Sequence, residues 1–182
     1  MDIVGLLEFE PGQVERFLGP LPEIMAAVRR GPAHRMLVIE HDGAAAGFCV
    51  VHPDLRDGSC WWLGWFAIDR RKQGAGLGKL ALAAIMGRLL QQPDCRRVRL
   101  LVAPENASAL RLYRRAGFRF AAVAEATAEL IMECAVAVGR PSGEPPSRFW
   151  ANAILVQVIA ARVCRMGVLP AAELHGEVAH PP

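Results

Sequence analysis

Along this chain the apolar positions recur in short blocks whose spacing switches between a period of two and a period near 3.6, and the switches outline the elements. Residues 3–9 read as a first strand. Residues 11–30 read as two short helices broken at Gly19-Pro20, with Gly31-Pro32 as a stop, since proline cannot continue a helix ladder. A strand over 36–40, a turn at His41-Asp42-Gly43 and a returning strand over 45–51 make a hairpin. A polar loop over 53–59 leads into a long apolar strand over 60–68. Residues 77–90 are helical, with Leu80, Ala84 and residues 86–90 on the apolar face. A strand over 98–103, a helix over 106–116 capped by Gly117, and strands over 118–123 and 129–138 complete the pattern. Strands interrupted by helices on this schedule predict a mixed α/β sheet flanked by helices.

The pattern changes at residues 140–147, Arg-Pro-Ser-Gly-Glu-Pro-Pro-Ser, which no helix or ladder crosses easily. This divides the chain into a domain over 1–138, a proline-rich linker over 139–148 and a C-terminal apolar extension over 149–182. Residues 149–166 are interrupted only by Asn152, Gln157, Arg162 and Arg165, which scatter around a helical wheel, so a helix there must be buried on most sides. The β-branched residues Ile154, Val156, Val158, Ile159 and Val163 leave an added strand as the lesser alternative. The extension is expected to pack on its own domain or to exchange with a second chain as a homodimer, and its tail from Leu169 to be loose. A membrane span needs about twenty nearly uncharged residues, so no membrane is expected.

Hydrophobic residues make up 53% of the chain, ample for a packed core, and the net charge of +3 does not point to nucleic acid. Five scattered cysteines with no CxxC pair exclude a disulfide framework and metal-ligand spacing, so no metal is expected. The start of the chain has no basic region followed by an apolar run, so a cytoplasmic location is expected.

The candidate chemistry begins where the 60–68 strand ends. Gln73-Gly74-Ala75-Gly76-Leu77-Gly78-Lys79 is a glycine-rich turn that opens the next helix. Glycines there leave backbone N–H groups unshielded, and the helix N-terminus adds partial positive charge, so the turn suits a phosphate or pyrophosphate. A P-loop is excluded: Gln73 stands where its first glycine belongs, and Leu80 replaces the magnesium-binding hydroxyl. A dinucleotide fingerprint fails too, with Lys79 in place of the last glycine. Arg70, Arg71, Lys72, Arg96, Arg97 and Arg99 read either as solvated surface charge or as a cationic rim for a phosphate-bearing ligand.

Gln73-Gly74-Ala75-Gly76-Leu77-Gly78 fits the pattern Gln/Arg-x-x-Gly-x-Gly. With Asn106, Tyr113 and Gly117-Phe118 in the expected order, the chain resembles the GNAT superfamily of acetyl-CoA-dependent N-acetyltransferases over residues 1 to about 138. Residues 62–69, Glu10-Pro11-Gly12-Gln13 with Phe17, and Glu129-Leu130-Ile131-Met132 look most similar to its diamine and polyamine acetyltransferases. The resemblance implies a mostly antiparallel central sheet that splays at a bulge before the glycine loop. It implies acetyl-CoA as cosubstrate, held by Gln73, Gly74, Ala75, Gly76, Leu77, Gly78 and Lys79 and by the backbone of Phe66, Ala67 and Ile68, where the pantetheine arm enters the gap. The acceptor it implies is a small primary amine, with a diamine or polyamine as the subgroup's indication. A protein, amino-acid or aminoglycoside acceptor, or a coenzyme-binding module without catalysis, are the other readings.

Acetyl transfer from a thioester to an amine needs a polarised carbonyl and the movement of two protons. An N–H near Phe66 or Ala67 would stabilise the oxyanion, a contribution of about 3 kcal/mol per donor. Tyr113, the one tyrosine in the chain, lies seven residues after Asn106, nearly two turns along the same helix face. The resemblance makes it the candidate general acid. Asn106 either caps that helix or bonds the coenzyme's amides. The base is unassigned: some family members carry a Glu twelve positions before the Tyr, and here that position is Leu101. Glu105 lies at the strand's end toward solvent, and Glu40, Asp54, Asp57 and Glu129 remain as candidates through bridging water, with Asp54 and Asp57 the obvious carboxylates for a polycation.

Overall fold

Period-two patterning produces the hairpin first: β1 (Arg35–His41) and β2 (Ala44–Pro53) pair antiparallel from Arg35↔Val51 to His41↔Ala44. A computed structural model of the chain describes residues 4–31, 33–135 and 157–160. Across the hairpin the alternation sends side chains to two separate cores. Leu37, Ile39, Cys49 and Val51 face α3 (Leu77–Leu89) and α4 (Ala107–Arg115), whose Ala81, Ile85 and Leu110 join the same cluster. Met36, Val38, Phe48 and Val50 face the other way, against Val4, Leu7, and Ile24 and Val28 of α2 (Leu21–Arg30). Ahead of α2, the short α1 (Pro11–Gln13) runs on through a π-helical stretch, Val14–Leu18.

The sheet continues through β3 (Cys60–Ile68), β4 (Arg97–Val102), β5 (Arg119–Val123) and β6 (Leu130–Ala135), with β7 (Gln157–Ala160) on the far edge. The strand order is β5-β6-β4-β3-β2-β1-β7. β3 and β4 are parallel, joined through α3, and every other pair is antiparallel. This is the mixed, mostly antiparallel sheet expected.

Two segments differ from the sequence reading. The strand expected over 3–9 is, where described, a 3-10 turn at Val4–Leu6 followed by extended chain that joins no ladder. Its backbone groups go elsewhere: the Glu8 carbonyl accepts from Arg70 N–H at 2.8 Å, and Glu8 N–H donates to the Asp69 carboxylate at 3.2 Å. The helix expected over 149–166 is a strand in its described part, with β7 pairing from Glu40↔Gln157 to Leu37↔Ala160. The reason is the open edge of β1, whose free N–H and C=O groups template an added strand, and the β-branched Val158 and Ile159 suit that role. The linker and the rest of the extension lie outside the described residues.

One irregularity shapes the site. Between β2 and β3, Cys49 pairs with Phe66 but Val51 pairs with Leu63, so β3 carries one extra residue at Gly64-Trp65. On its other side β3 pairs with β4 only from Cys60↔Arg97 to Leu63↔Leu100. Beyond the bulge the strands part, leaving residues 64–68 without partners on β4. The sheet is splayed.

Candidate active site

The splay opens a cleft of about 670 Å³ through the sheet. The left-handed φ of +83° at Gly74 and +79° at Gly76 turns the chain from β3 into α3, a conformation that favours glycine. Gly76 is the N-cap of α3 and offers no side-chain cap, so the N–H groups of Leu77 and Gly78 open the helix uncapped. On β3, Asp69 N–H donates to the Ala46 carbonyl, which directs that residue toward β2. Strand alternation then sends the N–H and C=O of Ala67 toward β2 and those of Phe66 and Ile68 into the gap. The Ile68 carbonyl accepts from Gln73 Nε2 at 2.9 Å, and the same nitrogen reaches Gln13 Oε1 at 3.1 Å. Gln73 thus ties α1 to the end of β3.

Across the gap, Asn106 Oδ1 accepts from Ala109 N–H at 3.1 Å and caps α4. The other end of α4 closes with Gly117 at φ +95°, Gly117 N–H donating to Arg114 and Phe118 N–H to the Tyr113 carbonyl at 3.0 Å. This closure seats the buried Phe118 ring 5.8 Å from that of Tyr113. Both helix ends therefore fix where the Tyr113 phenol sits. Burial, and then the neighbouring Cys49, push the phenol well above the ordinary tyrosine value. The Cys49 thiol is itself pushed up by burial.

All the expected site residues except Ala75 line this one cleft: Phe66, Ala67, Ile68, Gln73, Gly74, Gly76, Leu77, Gly78, Lys79, Asn106 and Tyr113. Its wall on the α1–α2 side was not legible beforehand. Phe9, Phe17, Leu18, Trp62 and Trp65 line it together with His34 and His52, whose rings stack with centroids 4.2 Å apart. Of the carboxylates named as candidate bases, Glu129 lines the cleft. Asp54 is not among the lining residues and accepts from Trp62 Nε1 at 2.8 Å and from Arg56 N–H. Asp57 is likewise outside it, bonded to Ser59 and ion-paired with Arg97. Those two carboxylates hold the β2–β3 loop. Among the described residues no cluster of His, Cys, Asp or Glu is arranged to hold a metal, and no helix is long and apolar enough to cross a membrane.

Residues 6–118, more than half of the chain, match the family model described as Acetyltransferase (GNAT) family. The chain belongs to the GNAT acetyltransferase family. It is 41% identical over 71 residues to a spermine/spermidine N(1)-acetyltransferase of Bacillus subtilis, covering 39% of this chain and 47% of that protein. It is also 37% identical over 114 residues to a mycothiol acetyltransferase of Clavibacter sepedonicus, covering 63% of this chain and 36% of that one. The matches therefore span about half or less of these relatives. Among solved structures, an aminoglycoside acetyltransferase in complex with coenzyme A and kanamycin shares the fold. Its TM-score is 0.58 at 18% identity, over 69% of this chain and 83% of that one.

In this GNAT domain most of the cations flanking the glycine turn are already engaged. Arg70 and Arg71 pair with Glu8, and Arg71 also grips Asp69 at 2.5 Å. Arg97 pairs with Asp57, and Arg99 with Glu133 at 2.7 Å. Asp69 is fully buried and accepts from the backbone N–H groups of Glu8 and Arg71 as well as from the guanidinium. The Arg71 hydrogen bonds hold its carboxyl well below the usual carboxylate range. This knot docks the chain's first segment onto the residues just before the glycine turn. Asp69→Asn is expected to cost about 1–3 kcal/mol, between an exposed pair and a fully buried one, because Asp69 is buried but the Arg71 left behind is half exposed. A depressed carboxyl stabilises the fold above its unfolded value of about 3.9, and that stability is lost as pH falls from there toward the folded value. The gap in melting temperature between wild type and Asp69→Asn should therefore narrow below about pH 4. A gap that stays constant with pH would mean that the charge on Asp69 is irrelevant.

Proposed function

We propose that this protein is an acetyl-CoA-dependent N-acetyltransferase that moves an acetyl group to a primary amine by direct attack, with Tyr113 as general acid. The observation that carries the reading is one continuous cleft through the splayed sheet. It joins the uncapped amides of the glycine turn and the Tyr113 phenol on one face to an aromatic-walled chamber on the other. The turn suits the coenzyme's pyrophosphate, and the backbone of Phe66 with the Ile68 N–H, facing the gap, suits its pantetheine amides, the Ile68 carbonyl being held by Gln73. The Phe66 N–H is the donor for the developing oxyanion.

In the reaction the amine lone pair attacks the thioester carbonyl, the C–N bond forms, and the π electrons move to oxygen. Collapse restores the carbonyl and breaks the C–S bond. The phenol of Tyr113 protonates the leaving sulfur and is restored by a proton from the new amide nitrogen. A phenol of pKa about 10 and a thiol near 8.5 make that transfer uphill by about 2 kcal/mol in water. An apolar surrounding that disfavours a free thiolate lessens the mismatch, while the burial that holds the Tyr113 phenol above its ordinary value acts the other way.

The spermine/spermidine relative supports a polyamine as acceptor. Against a highly charged acceptor stands the lining itself, in which, among the described residues, Glu129 is the one carboxylate and Lys79 adds a cation. An amine with an apolar body suits the aromatic wall equally. The test is release of free coenzyme A thiol from acetyl-CoA across a panel of polyamines, aromatic and aliphatic monoamines, amino acids and an aminoglycoside. Amine-dependent release supports the transferase. Tight acetyl-CoA binding with no release across the panel supports a coenzyme-binding module, a reading kept open by Leu101 standing where some family members carry a Glu.

A further inference from the structure

The transferase reading leaves a proton unaccounted for. A primary alkylammonium of pKa about 10.4 is only about 0.04% neutral at pH 7, so the amine must lose a proton before it can attack. No carboxylate occupies position 101, and Asp54 and Asp57 are committed to the loop beside the cleft.

On the α1–α2 side of the cleft two imidazoles from different strand ends meet. His34 precedes β1 and His52 lies near the end of β2, and both line the cavity. Their rings stack at 4.2 Å with an interplanar angle of 29°. His52 Nδ1 lies 3.0 Å from the Pro53 carbonyl, which can only accept, so Nδ1 carries the hydrogen and the neutral ring holds its lone pair on Nε2. That nitrogen makes no hydrogen bond among the described residues and is not among the buried orphan atoms. His34 Nδ1 is a buried orphan, turned against Gly31, which leaves its Nε2 as the ring's outward atom.

We propose that the stacked imidazoles of His34 and His52 form the proton acceptor for the incoming ammonium, with His52 Nε2 as the receiving atom. This rests on the transferase reading. The ammonium N–H bond breaks toward Nε2, the freed lone pair attacks the thioester, and the imidazolium passes its proton to solvent. The proton that ends on sulfur travels through Tyr113, so both protons lost by the ammonium have a route. The stack sets the two rings face to face at 4.2 Å, close enough for a positive charge on one to repel a positive charge on the other. Burial, and then the charge of His52, hold His34 below the ordinary histidine value. Other charged groups on the surrounding elements are Arg29 and Arg30 at the end of α2, Arg35 on β1 and Asp54 after β2. Arg35 lies over the Trp61 ring, and Asp54 is bonded to Trp62. Glu129, Lys79 and Tyr113 line the same cleft.

The decisive variant is His52→Asn, whose side-chain amide can still donate to the Pro53 carbonyl but offers no basic nitrogen. Its kcat/KM for the best amine of the panel is expected to fall at least tenfold at pH 7, with the affinity for acetyl-CoA unchanged. The deficit should shrink as pH rises toward about 10, where the amine is neutral without help. Added imidazole should restore part of the rate to His52→Ala. In His34→Ala, loss of the stack should move the acid limb of the pH profile, and this variant decides the matter if His52→Asn does not fold. A deficit equal at every pH, or an acid limb unmoved in His34→Ala, would reduce the pair to packing and overturn the proposal while the transferase stands. A wild-type protein that binds acetyl-CoA and releases no thiol with any amine overturns both.

Discussion

Gly78→Val is expected to abolish acetyl-CoA binding, by at least a hundredfold in Kd, while the domain stays folded. Gly78 sits in the first turn of α3 and its φ lies outside the left-handed region, so the backbone accepts an L side chain there. A Cβ at this position meets only Ile68 Cγ1 and Leu112 Cδ2, both at an ordinary 3.9 Å. The branches of valine would extend from there between the end of β3 and α4, over the uncapped amides. Valine is also a better helix former than glycine, so helix propensity gives no reason for unfolding. Gly76→Ala separates the two possible effects. Nothing lies within 4 Å of its Cβ, but its φ of +79° adds about 1–2 kcal/mol of strain. Stability should fall in Gly76→Ala, and binding in Gly78→Val. Calorimetry with acetyl-CoA and thermal melts of both variants decide it, and normal affinity in Gly78→Val would make the loop a mere strand–helix turn.

Tyr113→Phe should leave folding and acetyl-CoA affinity intact and lower kcat by about 10²-fold or more, the range for loss of a general acid. The ring keeps its place against Phe118, and among the described residues the hydroxyl makes no hydrogen bond whose loss would cost stability. No second tyrosine exists to substitute. Because burial holds the phenol above its ordinary value, it stays protonated throughout the neutral range and donates at any working pH. No alkaline limb from Tyr113 is therefore expected below about pH 10. Single-turnover measurement of thiol release at saturating amine is the check. An unchanged rate in the folded variant would remove Tyr113 from the chemistry.

What the sequence determined by itself was local, because its rules act within a few residues. The hairpin around His41-Asp42-Gly43, the glycine turn into α3, the Asn106 cap and the Gly117 closure that seats Tyr113 all follow from backbone preferences and near-neighbour hydrogen bonds. Their order along the chain was enough to point to the family. Tertiary structure alone decided the rest, since it brings together residues with no local signal of their meeting. Asp69 and Arg71 anchor Glu8 from more than sixty positions away, turning an expected strand into docked chain and setting Arg70 and Arg71, read beforehand as either surface charge or a phosphate rim, into a structural knot. The open edge of β1 drew Gln157–Ala160 into the sheet as a strand, because pairing an exposed edge outweighs a weak helical pattern. The extra residue at Gly64-Trp65 and the early end of the β3–β4 ladder made the cleft. His34 and His52 meet there only because β1 and β2 run antiparallel, which sets the start of one strand beside the end of the other.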